Sequence, residues 1–333
     1  MTTTAAPIRA EESLAEDSQV EQLAARLKAV ADPLRLDVLR LLGQSSFGVL
    51  ELAELLDISQ PGMSHHLKVL AQAGWVDTRR EGNSVFYRRR LPLESDSAYG
   101  LQQQLLDRLD ALPLDAALAE RLEQVQEQRT AQSREFFTRH AELFAERQDL
   151  IAEHHLYDDA AFALIQHAKP EGGRKALEIG PGEGHFLLRL AASFDEVIGL
   201  DCADELLQQA RALLAKKRLQ RVRLMEAEWP KADVLAGFAL VTFNMVLHHL
   251  PAPARSIARA AEVLAADGVL LITDLCRHEQ DWVRETCGDL WQGFDEDELA
   301  GWAQRAGLEP EECQYLALKN GFQIQIASFR KKA

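Results

Sequence analysis

The chain has 333 residues, 47% of them hydrophobic, which is enough for two compact domains with buried cores. Its four cysteines are scattered without CxxC spacing, which argues against a disulfide framework or a zinc finger and favours a reducing compartment. The N-terminal sequence has no basic segment followed by an apolar run, and the longest apolar stretch, 234–247, is too short and interrupted to cross a bilayer, so we expect a cytoplasmic protein.

The net charge of −15 is distributed unevenly along the chain. Residues 20–91 carry ten Lys and Arg against eight Asp and Glu, a balance of +2, whereas the remainder carries 27 against 44, or −17. The segment 78–90 contains five arginines and one glutamate. Because a local basic patch can hold phosphates on an otherwise acidic protein, the charge does not exclude DNA binding.

The chain begins with a polar segment followed by two predicted helices. Residues 1–19 are small, polar and acidic, and we expect them to be disordered. Apolar spacing predicts a helix over 20–30. Asp32 followed by Pro33 is typical of a capped helix start, so DPLRLDVLRLLG predicts a second helix.

Two further helices and a hairpin follow. VLELAELLD predicts a third helix, and Ser59 with Pro61 predicts the start of a fourth that ends at Gly74. The sequence WVDTRREGNSVFYRRR predicts two short strands around 81–83. Four helices and a β-hairpin form the winged helix-turn-helix pattern, which we assign to residues 20–92.

Residues 93–132 predict a helical connector rich in leucine and glutamine. Leucines recur at helical spacing on both sides of Pro113, which interrupts the pattern. Such a helix needs an apolar partner, and we expect it to mediate dimerisation. Packing against its own domain is the alternative.

Residues 133–333 predict a second domain. After two helices within 133–167, strands alternate with helices from Lys175 onward, and the last two strands form a hairpin. This order predicts a doubly wound, Rossmann-like α/β sheet with an antiparallel edge.

The first of these strands runs into a glycine loop, LEIGPGEG. Glycines bring backbone close to a ligand where side chains would block it, but nicotinamide and flavin domains use similar loops. Asp201 ends the next strand, where a carboxylate can accept both ribose hydroxyls. Glu226 and Ala227 end the third strand, where an acid and a backbone N–H can read an adenine edge, and Asn244 ends the fourth, before VLHHL.

These motifs together resemble the class I S-adenosylmethionine-dependent methyltransferases. The resemblance implies that the amino-acid part of the cofactor lies near Glu178 and Gly180, the ribose on Asp201 and the adenine near Cys202; the family more often has Asp where this chain has Glu226. The predicted residues for binding S-adenosylhomocysteine or S-adenosylmethionine are Glu178, Gly180, Pro181, Gly182, Gly184, Asp201, Cys202, Glu226, Ala227, Asn244 and His248.

The segments ADPLRLDVLRLL and SQPGMSHHLKVLAQAGWV resemble the ArsR family of winged-helix regulators, which bind palindromic operators as dimers. The fourth helix would then be the recognition helix in the major groove, and the hairpin arginines would contact phosphates. The predicted DNA-binding residues are Gln60, Ser64, His65, His66, Lys68, Arg79, Arg80 and Arg88.

Many ArsR-type proteins sense metals through cysteines in the third helix, but VLELAELLD contains none. His140, His154 and His155 lack a convincing ligand pattern, so no metal is expected.

Two functions remain open. The architecture resembles S-adenosylhomocysteine-responsive regulators of methionine-cycle genes, which implies a DNA-binding repressor whose second domain senses S-adenosylhomocysteine or S-adenosylmethionine. Ordering of residues 133–157 by the ligand would change the spacing of the recognition helices in a homodimer. The alternative is an active methyltransferase of a small molecule with an autoregulatory DNA-binding domain. Methyl transfer relies mainly on positioning of the acceptor, so a missing catalytic residue cannot exclude it.

Overall fold

The computed structural model divides into two compact units, Met1–Glu123 and Gln124–Ala333. The residues it describes are 8–81, 84–92, 96–140, 143–170 and 174–332. No helix within these ranges is long and apolar enough to cross a membrane.

The first unit has the predicted winged helix-turn-helix order. Its helices are α1 (Ile8–Val30), α2 (Pro33–Gln44), α3 (Val49–Leu55), α4 (Gln60–Gln72) and α5 (Tyr99–Asp110), and α6 (Ala116–His140) begins in it and continues into the second unit. Its strands are β1 (Phe47–Gly48), β2 (Val76–Glu81) and β3 (Ser84–Arg89), in the order β1-β3-β2 with both pairs antiparallel.

The predicted helix starts are confirmed by their hydrogen bonds. The Asp32 carboxylate accepts from the Arg35 N–H at 3.1 Å, and the Ser59 hydroxyl accepts from the Gly62 N–H at 3.4 Å. Each bond satisfies a backbone donor that a helix start leaves without an intrahelical partner. Behind these caps each helix has a row of buried apolar side chains: Val38, Leu39, Leu41 and Leu42 of α2, and Met63, Leu67 and Leu70 of α4.

Two features of this unit differ from the sequence prediction. The first helix begins at Ile8, within the segment expected to be disordered, because alanine, glutamate and glutamine there favour helix. Residues 1–7 of that segment lie outside the described residues. The strand β1 was not predicted, since two residues are too short for an alternating pattern; Phe47 pairs with Tyr87 and adds a third strand to the wing.

The connector breaks at Pro113 as predicted, so α5 and α6 are separate helices. Arg40 stabilises the break by donating hydrogen bonds to the carbonyl oxygens of Leu112 and Pro113. The helix α6 runs eight residues beyond the predicted boundary at 132, and the second unit begins at Gln124.

A bidentate ion pair ties the wing to α5. The two terminal nitrogens of Arg89, which is almost fully buried, each donate to one oxygen of Asp110 at 2.7 Å. We expect Asp110→Ala to lower the free energy of unfolding by about 2 kcal/mol, because it leaves a buried guanidinium without its carboxylate while Asp110 itself is partly solvated. Urea denaturation measures this.

The matched control is Asp107→Ala in the same helix, since Asp107 is exposed and its side chain accepts a hydrogen bond from Gln103, one turn away. It should change stability by no more than about 0.5 kcal/mol. Equal losses in the two variants would show that the Arg89–Asp110 pair does not stabilise this unit.

The second unit alternates strands and helices after two N-terminal helices. These helices are α7 (Phe144–Asp149) and α8 (His155–Ala168). The remaining helices are α9 (His185–Ser193), α10 (Asp204–Lys217), α11 (Pro253–Val263), α12 (Trp282–Thr286) and α13 (Glu296–Arg305). The strands are β4 (Lys175–Ile179), β5 (Glu196–Asp201), β6 (Val222–Glu226), β7 (Phe238–Asn244), β8 (Leu264–Leu275), β9 (Leu308–Ala317) and β10 (Gln323–Lys331).

These strands form one seven-stranded sheet in the order β6-β5-β4-β7-β8-β10-β9. The first five are parallel, and β10 pairs antiparallel with β8 and β9, which confirms the predicted antiparallel edge. After β4 the chain adds β5 and β6 on one side of it and later adds β7 and β8 on the other side. The loops that follow β4 and β7 therefore leave in opposite directions, and a crevice opens between them at the carboxyl ends of the strands. One expected helix is missing, since residues 227–237 form turns.

Candidate functional site

A cavity of about 310 Å³ opens at the carboxyl ends of β4, β5 and β7, where the strand order predicts a crevice. All of its walls belong to the second unit. Most of the residues predicted to bind a cofactor line it: Glu178, Gly180, Pro181, Gly182, Asp201, Cys202, Ala227 and Asn244. Gly184, Glu226 and His248 do not.

The glycine loop has the left-handed backbone that its sequence predicts. Gly180, Gly182 and Gly184 have φ of +66°, +51° and +82°, a region that disfavours side chains. A Cβ on Gly180 would lie 2.3 Å from Cγ2 of Val246 in the cavity wall. A Cβ on Gly184 would meet Ala210 of α10 at 3.0 Å, so this glycine allows α9 and α10 to pack and does not face the cavity.

Glu178 lies buried at the floor of the cavity. Its Oε1 accepts a hydrogen bond from the Asn244 side-chain amide at 3.1 Å. Burial raises the pKa of Glu178 to about 8; the Asn244 hydrogen bond opposes this shift and the nearby charge of Asp158 adds to it. The carboxyl group is therefore mostly protonated near neutral pH, and a cationic group bound beside it would favour release of this proton to solvent.

This raised pKa has a consequence for stability. The folded protein binds the Glu178 proton more tightly than the unfolded chain does. The contribution of this group to the free energy of unfolding is therefore fully present below its ordinary pKa of 4.5 and is lost as pH rises through about 8. We expect Glu178→Gln to raise the melting temperature near pH 9 and to leave it almost unchanged near pH 5, because glutamine keeps the shape without ionising. Thermal unfolding without ligand, at both pH values, measures this.

Glu279→Gln is the control, since Glu279 is exposed. It should alter the melting temperature little at either pH. A Glu178→Gln variant that is equally or less stable than the wild type near pH 9 would contradict the account of this carboxyl group.

Asp201 and Ala227 occupy the neighbouring strand ends, as predicted. The Asp201 Oδ1 accepts from the Ala203 N–H at 3.0 Å, and the Ala227 N–H donates to the Asp201 carbonyl at 2.9 Å. Burial raises the pKa of Asp201 to about 6, against hydrogen bonds from the backbone. Glu226, the last residue of β6, is exposed and does not line the cavity, whereas the next residue, Ala227, does. The predicted adenine contact through the Glu226 side chain is therefore not supported.

His248 was predicted to contact the cofactor, but it is fully buried behind the cavity. Its Nδ1 lies 2.7 Å from Oδ1 of Asp274 at the end of β8. The neighbouring His249 lines the cavity instead, because the short 3-10 turn Leu247–His249 places successive side chains on different sides. Burial lowers the pKa of His249 well below its usual value, and the charge of His248 lowers it further, so its imidazole is neutral.

The segment expected to approach the cofactor, 133–157, does line the cavity. Its contributions come from α6, from the end of α7 and the loop after it, and from the start of α8: Ser133, Phe137, Gln148, Asp149, Ala152, His154 and Tyr157. His154 Nδ1 lies 3.1 Å from Oδ2 of Asp158, and its ring stacks on that of His185 with centroids 4.1 Å apart. Asp158 and His185 also line the cavity, and no sequence pattern pointed to them.

The recognition helix α4 presents the predicted polar residues unequally. Gln60, His65 and Lys68 are exposed, whereas Ser64 and His66 are half-buried. The Gln60 amide donates to the Ser64 hydroxyl at 3.1 Å. The three exposed side chains are thus the ones available to reach base edges or phosphates without rearrangement.

The wing corrects one of the predicted arginines. Arg79 is only 1% exposed, whereas Arg80 is exposed and Arg88 is half-buried. Successive side chains of a strand point to opposite faces, so Arg79 and Arg80 cannot both lie on the surface of β2. A phosphate contact by Arg79 is therefore not available in this conformation.

Together, these features define a chain in which a winged helix-turn-helix unit is joined to a doubly wound domain of the methyltransferase type, with a glycine-lined cavity. A family model described as a methyltransferase domain matches residues 144–312, about half of the chain, and a helix-turn-helix domain model matches residues 30–79. The chain belongs to this methyltransferase-domain family, and its first unit is an ArsR-type helix-turn-helix domain.

Individual relatives match one half or the other. The biofilm growth-associated repressor of Agrobacterium fabrum is 46% identical over 74 residues, 22% of this chain and 63% of that protein. The uncharacterized methyltransferase YcgJ of Bacillus subtilis is 27% identical over 114 residues, 33% of this chain and 44% of that protein. The chain therefore spans about half to two thirds of the length of these relatives.

Among solved structures, a methyltransferase from Burkholderia thailandensis superimposes with a TM-score of 0.52 and 20% identity, over 67% of this chain and 93% of the other. That structure is of 1,6-didemethyltoxoflavin-N1-methyltransferase with its substrate and S-adenosylhomocysteine bound. At this identity the likeness shows the fold of the second unit and no more.

Proposed function

We propose that this protein is a transcriptional repressor whose methyltransferase domain binds S-adenosylhomocysteine or S-adenosylmethionine and thereby changes its affinity for operator DNA. The methionine-cycle genes are the proposed targets, by resemblance to regulators of the same architecture. The observation that carries the proposal is the course of α6: it begins at Ala116 in the DNA-binding unit, and its second half lines the cavity with Thr130, Ser133 and Phe137.

The proposed ligand is supported by the chemistry of the cavity floor. A carboxylate at Asp201 can accept both ribose hydroxyls, and Glu178 can receive the α-ammonium group once it loses its proton. In the proposed pose the adenine edge binds beside Cys202 and Ala227, both of which line the cavity. Because Glu178 has a pKa of about 8, binding of the ammonium should release a proton to solvent near neutral pH.

The proposed signal passes along one continuous helix. A ligand that contacts Ser133 and Phe137 binds more tightly to the conformation in which α6 completes the cavity wall. It therefore increases the population of that conformation. Since the same helix begins in the other unit, the two binding equilibria become coupled, and the coupling is reciprocal.

A homodimer is part of the proposal, since ArsR-type repressors read two half-sites. Support comes from apolar side chains on α1 and α5 that remain exposed in the single chain: Val20, Leu23, Leu27 and Leu101. Analytical ultracentrifugation tests this point, because a chain that stays monomeric at micromolar concentration would contradict it.

The experiment that tests the function is a titration of DNA from upstream of the protein's own gene, with neither nucleoside and then with a saturating amount of each. The proposal requires a change in operator affinity with at least one of them. Buffers of different ionisation enthalpy in a parallel calorimetric titration report the proton released from Glu178.

A second candidate function is methyl transfer to a small O–H or N–H acceptor. The His154–Asp158 pair in the cavity wall favours it, because Asp158 can orient the imidazole that would take the acceptor's proton. Incubation with labelled S-adenosylmethionine and candidate phenols and amines, with His154→Gln as the comparison, tests this function. Turnover that depends on His154, without coupling to DNA, would favour the enzyme over the sensor.

A further inference from the structure

Behind the cavity, three potential metal ligands converge on one buried point. One ring nitrogen of His248, one of His249 and a carboxylate oxygen of Asp289 all lie within 4.8 Å of one another. The three residues come from two segments, the turn after β7 and the loop after α12. Two backbone hydrogen bonds hold these segments together: the Leu290 and Trp291 N–H groups donate to the His248 carbonyl at 3.0 and 3.1 Å.

The spacing of these atoms does not suit direct hydrogen bonds. Asp289 Oδ1 is 3.9 Å from His248 Nε2 and 3.8 Å from His249 Nδ1, too far for a hydrogen bond. Two ligands held at about 2.1 Å from one cation lie roughly 3.4 Å apart in a tetrahedron and further apart at wider angles. Small inward shifts of the three side chains would therefore bring them to a shared ion.

The orientation of His248 is the second, independent sign. Its side chain is fully buried, and its Nε2 has no hydrogen-bond partner within the described part of the chain, although it lies 3.9 Å from the Asp289 carboxylate. Its other nitrogen, Nδ1, donates to Asp274 Oδ1 at 2.7 Å. A carboxylate that holds the far nitrogen of an imidazole is the usual partner of a metal-binding histidine, because it fixes the ring and leaves Nε2 as the ligand.

We propose that His248, His249 and Asp289 form a binding site for a divalent cation of the zinc class. Two imidazoles and a carboxylate are a donor set that suits Zn²⁺ and the neighbouring late transition metals. For His249 to bind through Nδ1, its ring proton moves from Nδ1 to Nε2 and its 3.3 Å contact with the Gly288 carbonyl is given up. Nε2 of His248 binds as the unprotonated nitrogen of a neutral imidazole, and any proton that it carries goes to solvent. All three ligands are buried, so the ion would stabilise the fold and would not bind substrate.

The inference does not depend on the proposed function, although the two sites are neighbours. His249 lines the nucleoside cavity, and its Nε2 lies 3.3 Å from the Gln148 side-chain amide in the same wall. An ion bound behind it would hold this wall in place. The nucleoside affinity of the wild type should therefore be higher with the metal than after chelation.

The test uses the full chain, freed of metal with a chelator and then titrated with ZnCl₂ and, separately, with CoCl₂. We expect one ion per chain, retained through gel filtration, a higher melting temperature, and visible Co²⁺ absorption without the thiolate charge-transfer band that a cysteine site would give. Failure to retain an ion, or a thiolate band, would overturn the proposal. In the first case, the charge of the buried carboxylates would be balanced by a protonated His248, whose pKa is lowered by burial but raised more strongly by Asp274 and Asp289, to about 9.

Three variants locate the site. His248→Gln and Asp289→Asn should each weaken Zn²⁺ binding more than 100-fold, and Asp274→Asn, which only orients His248, about 10- to 100-fold. His167→Gln is the matched control, since His167 is exposed, and it should leave Zn²⁺ affinity unchanged. If His248→Gln does not fold, Asp289→Asn and the wild-type Co²⁺ spectrum decide. Equal affinity in Asp289→Asn and the control would overturn the assignment.

Discussion

Replacing Asp201 by alanine is expected to weaken binding of S-adenosylhomocysteine about 100-fold. In the proposed pose the carboxylate accepts hydrogen bonds from two ribose hydroxyls, and loss of such charged hydrogen bonds costs about 3 kcal/mol in total, which corresponds to this factor. Isothermal titration calorimetry of the purified wild type and variant at the same pH measures the change.

The matched control lies at the other end of the same strand. Asp195 precedes β5, is exposed and pairs with Arg174 on the surface, so Asp195→Ala should bind the nucleoside as tightly as the wild type. Folding should survive in Asp201→Ala, because the pKa of Asp201 is raised by burial and its ionised form therefore costs stability above about pH 6. Unchanged nucleoside affinity in a folded Asp201→Ala protein would show that the ribose does not bind at this strand end.

Lys68→Glu is expected to lower operator affinity about 100-fold at low salt. Lys68 is exposed on the recognition helix, where an ammonium group can neutralise a DNA phosphate and a carboxylate would repel it. The slope of log affinity against log salt should also become shallower by about one unit, since one fewer counterion is released. Fluorescence anisotropy with labelled promoter DNA, repeated over a range of salt concentrations, measures both quantities.

Lys319→Glu makes the same change in net charge on an exposed position of the second unit. If Lys68 acts through a local phosphate contact, this control keeps wild-type operator affinity. Similar losses in the two variants would mean that overall charge, and not the recognition helix, governs the binding measured.

The sequence predicts those parts of the fold that local signals determine. Asp32 and Ser59 mark helix starts through their own hydrogen bonds, and Pro113 breaks the connector through its missing N–H. The β1 strand escaped prediction because its pairing with Tyr87 joins residues that are distant in the chain. The start of α1 at Ile8 differs from the expectation of disorder because polar residues such as glutamate and glutamine also have high helix propensity.

In the candidate site, too, residues marked by a local sequence signal could be predicted, and residues placed by packing could not. Glu178, Asp201 and Asn244 could be predicted because strand ends of a parallel sheet meet at one edge. His248 and His249 could not be told apart, since both follow the strand and only the turn decides which side chain faces the cavity. Asp158 and His185 carry no motif. Asp158 reaches the cavity wall from α8, and His185 reaches it as the first residue of α9, directly after the glycine loop. Arg79 shows that a basic run on a strand alternates between surface and core.

The most direct test of the sensor is the ratio of operator affinities with and without saturating nucleoside, measured on wild type and on Asp201→Ala. At a nucleoside concentration of about ten times the wild-type Kd, we expect a change of about 5- to 150-fold in the wild type, the usual range of coupling between two sites, and a much smaller change in Asp201→Ala, which is largely unoccupied at that concentration. Identical operator affinity with and without nucleoside, in a wild-type protein shown by calorimetry to be saturated, would contradict the account and leave methyl transfer as the function to pursue.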